Sequence, residues 1–93
     1  MTMTATKKIL VMARDDAEEA MRVAAGLTIF GHEVRFLFAD EFEVTPRFEE
    51  NAELLELADV DEITTLVPFA ECDQVSADQA AMFLAEADAT LVL

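Results

Sequence analysis

Cysteine occurs once in the 93 residues, at Cys72, so no disulfide closes within the chain and packing alone must hold the fold. Glycine and proline number two each, too few for a flexible linker, and no segment is of low complexity. No apolar run approaches the roughly 20 residues that cross a bilayer. Residues 1–6 carry neither the basic start nor the apolar stretch of a secretory signal. The expectation is a cytoplasmic protein of one α/β domain over residues 1–93, with 1–6 a disordered tail and no membrane contact. Positive charge is scarce and confined, because all six Lys and Arg lie at or before Arg47. Phosphate backbones need clustered positive charge, which argues against a nucleic-acid partner. A Gly-rich phosphate loop, a His/Cys cluster with metal-ligand spacing and a Ser–His–Asp set are also missing, so no metal and no cofactor is implied.

What is abundant is acid and apolar surface. Twenty Asp and Glu give a formal charge of −14, and 54% of residues are hydrophobic. So high an apolar fraction in so small a domain implies that some of it meets another subunit. The acidity fits a solvated surface that maintains solubility, an adaptation to high salt that screens repulsion between acidic faces, or a basic docking partner.

The best-formed stretch runs from Lys7 to Asp40. Ile9-Leu10-Val11-Met12-Ala13 is apolar without alternation, as in a parallel strand buried on both faces. Asp15 and Asp16 supply a cap and a favourable charge for a helix from Ala17 to about Phe30. Its apolar stripe includes Ala20, Met21, Ala24, Leu27 and Phe30, and Ala24-Ala25-Gly26 suits close approach to a sheet. Gly31 stands at the C-cap, and Val34–Ala39 has strand composition. Thr45-Pro46 opens a second helix to about Ala58, with Phe48, Ala52, Leu55 and Ala58 on one face, Leu54 and Leu57 beside it, and Glu49, Glu50, Glu53 and Glu56 outside. Ile63–Val67 is a third strand stopped by Pro68, and 69–75 is a loop. Ser76-Ala77-Asp78-Gln79 is a capping box, with Ala77, Ala80, Ala81 and Leu84 marking the packed face of a third helix. Ala89–Leu93 is a fourth strand, whose edge is apolar.

The order β-α-β-α-β-α-β predicts a three-layer α/β/α domain around a flavodoxin-like parallel sheet of about four strands. The commonest winding, 2-1-3-4, brings Arg14, Asp15 and Asp16 against Pro68 and Phe69 at one carboxyl-edge crevice. Arg14 is a candidate anion holder there. Asp15 and Asp16 suggest the acidic pocket of a magnesium-binding receiver module, although Val67-Pro68 replaces the aspartate and no late lysine follows; helix capping accounts for them better. Cys72 is the one candidate sulfur nucleophile, near a helix start that favours a thiolate but between Glu71 and Asp73, which oppose it. His32 falls in a turn at the other sheet edge, which argues against a Cys–His pair within one subunit.

Lys8-Ile9-Leu10-Val11, the Ala-rich helix leading into Gly31-His32-Glu33-Val34-Arg35-Phe36-Leu37-Phe38, and Ala85-Glu86-Ala87-Asp88 before the last strand resemble the DsrE/TusD family of intracellular sulfur-relay proteins. The resemblance covers about half the chain. It implies a flavodoxin-like sheet, assembly as a dimer or trimer/hexamer or with related DsrE-type subunits, and persulfide transfer from a sulfur-donor protein through a cysteine just after the third strand. Pro68 stands where that cysteine is expected and Cys72 follows it, so Cys72 is the candidate acceptor. Relatives lacking the cysteine imply the other role, a non-catalytic structural subunit.

Overall fold

The computed structural model describes residues 7–60, 62–69 and 71–93. The tail expected over residues 1–6 lies outside the described residues, as do Asp61 and Ala70 of two predicted connections. The apolar run forms β1 (Lys8–Ala13). Successive strand side chains face opposite ways, so Ile9, Val11 and Ala13 enter one core and Leu10 and Met12 another. α1 (Ala17–Ile29) begins where the Asp16 carboxylate accepts the Glu19 N–H at 3.1 Å. It ends before Gly31, whose φ of +87° is a left-handed conformation that glycine adopts without steric cost. Ala20, Met21, Ala24 and Ala25 are buried as expected; Phe30 lies past the helix end and is 77% exposed. Gly26 is not what permits the close approach, since a Cβ there would meet nothing within 4 Å.

β2 (Glu33–Phe38) follows, then α2 (Pro46–Leu57), capped by the Thr45 hydroxyl accepting the Phe48 N–H at 3.0 Å. Phe48 and Leu55 anchor α2, whereas Leu57, expected beside them, is 81% exposed. β3 (Glu62–Thr65) stops earlier than predicted. The Thr65 hydroxyl binds both the N–H and the carbonyl of Val67, at 3.1 and 2.8 Å, and this local turn ends the strand before Pro68 is reached. Within the expected loop lies a two-residue strand, β4 (Asp73–Gln74). The capping box at Ser76 and Gln79 is reciprocal and starts α3 (Ala77–Glu86), which leads to β5 (Ala89–Val92).

The five strands are all parallel, in the order β4-β3-β2-β1-β5. α1 and α2 pack together on one face and α3 covers the other, which is the expected three-layer α/β/α arrangement. The winding differs from 2-1-3-4. Because α1 and α2 cross on the same face, β2 and β3 advance in one direction; the chain reverses only through α3, which returns it to the free side of β1. A second correction concerns α3. Of its expected packed line only Ala80 is buried, while Ala77 and Ala81 are exposed and Leu84 is 45% exposed. The inward line is Ala80, Phe83 and Ala87, spaced at i, i+3 and i+7. Among the described residues no helix is long and apolar enough to cross a membrane.

Candidate functional site

The altered winding separates residues expected to share one crevice. Arg14, Asp15 and Asp16 line a carboxyl-edge cavity of about 200 Å³, but its other wall is the connection after β2, with Asp40, Glu41, Phe42 and Glu43. Pro68 and Phe69 do not line it. Phe69 instead stands behind that wall, edge-on to Phe42 at 4.9 Å. At the reversal of winding, between β1 and β5, the backbone N–H groups of Arg14, Asp15 and Asp16 all donate to the Leu93 carbonyl, at 2.7, 2.8 and 3.2 Å. Those donors, which an anion would use, are therefore occupied.

Three of the six carboxylates lining the cavity are similarly engaged. Asp16 caps α1, Glu18 accepts from the Thr45 hydroxyl at 2.7 Å, and Asp40 accepts the Glu41 N–H at 2.8 Å. Among the described residues no group of three or more His, Cys, Asp and Glu is arranged to hold a metal ion.

Cys72 lies elsewhere. After Pro68 the chain turns back, so that Asp73 pairs with Thr64 and Cys72 stands level with Ile63, at the β4 edge of the sheet. Two strands, β3 and β2, lie between it and the reversal at β1. Its thiol is free, half-buried, and packed against the core on the α1–α2 face beside Phe69. Burial pushes the thiol up from its ordinary value of 9.0, and the Glu71 and Asp73 carboxylates push it further. His32 sits at the amino edge, where its Nδ1 accepts the Lys7 N–H at 3.3 Å, and forms no pair with Cys72.

The raised thiol has a consequence for stability. A group whose folded pKa exceeds its unfolded value stabilises the fold below the unfolded pKa and loses that contribution as pH rises through the folded one. The stability of wild type relative to Cys72→Ala is therefore expected to decline with pH from about the ordinary thiol value upward. Urea denaturation of both proteins across alkaline pH checks this; a constant difference would contradict it.

Comparison with protein-family models, with curated proteins and with solved structures finds no match to the chain. The remaining candidates are therefore surfaces that the structure itself singles out.

Arg35 is one that sequence patterns do not signal. It projects from β2 on the α3 face into an amino-edge cavity of about 240 Å³, lined also by Lys8, Glu62, Phe83 and Glu86. Its Nε meets Glu62 at 2.7 Å, its Nη1 meets Glu86 at 3.3 Å, and its guanidinium lies 4.1 Å above the Phe83 ring. The partners are 27 and 51 residues away, so only the fold brings them together. By tying Glu62 of β3 and Glu86 of α3 to one guanidinium stacked on Phe83, this cluster fastens α3 to the sheet. Arg35→Ala is expected to cost about 1–2 kcal/mol, summing a stacked cation and two partly exposed ion pairs. Thermal denaturation should show Arg35→Lys recovering only part of the loss, because lysine lacks the planar fork.

The last surface is the β5 side of the sheet. Among the described residues β5 pairs with β1 alone, leaving its outer edge open there. Leu91 and Val92 are 39% and 52% exposed, and Ala77, Ala81 and Leu84 of α3 are exposed as well.

Proposed function

We propose that the chain is a non-catalytic interaction subunit of the DsrE type, working in the cytoplasm by assembly with like or related subunits. The observation that carries this reading is the open, uncharged, apolar β5 edge beside an exposed apolar flank of α3. Its support is also negative in chemistry: the carboxyl-edge amides and several carboxylates are already bonded, and burial raises the pKa of the one thiol, which disfavours the reactive thiolate. Light scattering at tens of micromolar is expected to give a mass above the monomer, and a clean monomer would argue against the reading.

Sulfur acceptance at Cys72 is the second reading, favoured by a free thiol that is only half-buried. In it the Cys72 thiolate attacks the outer sulfur of a donor persulfide, the donor's S–S bond breaks, and the donor leaves as thiolate. Intact mass after incubation with a persulfide donor separates the two. We expect no added sulfur; addition to wild type that is lost in Cys72→Ser would establish the relay.

A further inference from the structure

Building on the assembly reading, we infer that the partner is a second copy of this chain, joined β5 to β5 about a two-fold axis perpendicular to the sheet. The two sheet edges differ in a way that selects β5. β4 is two residues long, and Asp73 and Gln74 are exposed and polar, the usual protection against edge pairing. β5 is Ala-Thr-Leu-Val, without charge, proline or bulge.

The α3 flank lies on the same side. Glu86 reaches across to Arg35 of β2, so its flank of α3 faces β2 and β3. At about 100° per residue, Ala77, Ala81 and Leu84 occupy the opposite flank, over β5. Antiparallel pairing of two β5 strands would continue one sheet through both copies and set the two α3 helices side by side. Val92, Leu84 and Ala81 would be covered on that face and Leu91 on the other.

Charge favours a copy over a basic partner. A two-fold contact requires a patch complementary to itself, and an uncharged patch meets that condition. Asp88, the nearest carboxylate in sequence, is turned back to accept the Lys8 N–H at 2.8 Å. A basic partner would require acidic groups within the patch, and these five apolar positions supply none. The net charge of −14 on each copy nevertheless opposes approach, so added salt should strengthen pairing by screening, whereas it would weaken binding to a basic partner.

Sedimentation equilibrium at about 0.1 M and about 1 M NaCl tests this on wild type, Val92→Lys, Leu84→Glu and Phe30→Glu. The last alters a distant exposed apolar residue, and circular dichroism checks that each variant is folded. Wild type is expected to dimerise, more tightly at high salt. Val92→Lys and Leu84→Glu should each weaken the dimer by about tenfold or more, since each sets a charge into an apolar contact, and Phe30→Glu should leave it unchanged. Val92→Lys also lowers the net negative charge, so its weakening would not be a bulk electrostatic effect. A dimer that survives both patch variants, or that is lost in Phe30→Glu, overturns the inference and leaves the assembly reading standing. A wild type that is monomeric at every concentration and salt overturns the inference and counts against that reading as well.

Discussion

Phe38→Ala is expected to lower the unfolding free energy by about 3–5 kcal/mol. Phe38 is 2% exposed and is the ring around which the carboxyl end of the α1–α2 core is built. It stacks on Phe42 at 4.5 Å and on Phe48 at 5.8 Å, and meets Phe36 and Phe69 edge-on at 4.8 and 5.9 Å. These rings come from β2, the following connection, α2 and the loop after β3, so one truncation loosens four parts of the chain. A small domain has roughly 5–15 kcal/mol in total, and a loss of this size would leave it marginal. Phe38→Leu, which keeps most of the volume, should cost far less. Urea denaturation followed by circular dichroism measures both. Because Cys72 packs on the same core, alkylation of its thiol should accelerate in Phe38→Ala; an unchanged rate would mean that the rings do not shelter it.

Leu10→Ala is expected to cost about 2–5 kcal/mol, through the opposite face. Among the described residues a single helix covers the sheet there, and the buried apolar set is Leu10, Leu37 and Ala80, with Met12, Leu66, Val75, Phe83 and Ala87 partly buried around it. Removing Leu10, which is 1% exposed, takes away a large share of the surface that α3 rests on. The loss should therefore be uneven. Hydrogen exchange is expected to quicken in α3 well before α1, and uniform acceleration would mean that the two cores do not loosen separately.

The helix starts were legible because their signals are local. Asp16, Thr45-Pro46 and the Ser76–Gln79 box each act within three residues, and each caps a helix as expected. β1 was equally plain, since burial on both faces leaves an unbroken apolar run. Strand order was not legible, because it depends on which face each crossover takes, and nothing in Ile63–Val67 states whether that strand adjoins β1 or β2. That one choice dispersed the expected crevice, leaving Arg14–Asp16 beside Phe42, Phe69 behind that wall, and Cys72 beyond β3 at the β4 edge.

α3 misled for a different reason. It has apolar residues on two flanks, and the line Ala77–Ala81–Leu84 satisfies helical spacing as well as Ala80–Phe83–Ala87. The decision falls to Phe83 beneath the Arg35 guanidinium, a contact spanning 48 residues that no window of sequence contains. The exposed set at β5 and α3 thus became visible only once the fold showed which flank the sheet uses.

Hydrogen exchange of the Ala89–Val92 backbone as a function of protein concentration tests most directly whether this edge is the working surface. If β5 pairs with another copy, its outward amides are expected to gain protection as concentration rises and to lose it in Val92→Lys. Exchange at β5 that stays the same from dilute to concentrated solution, while the mass in solution also stays that of one chain, would contradict the account.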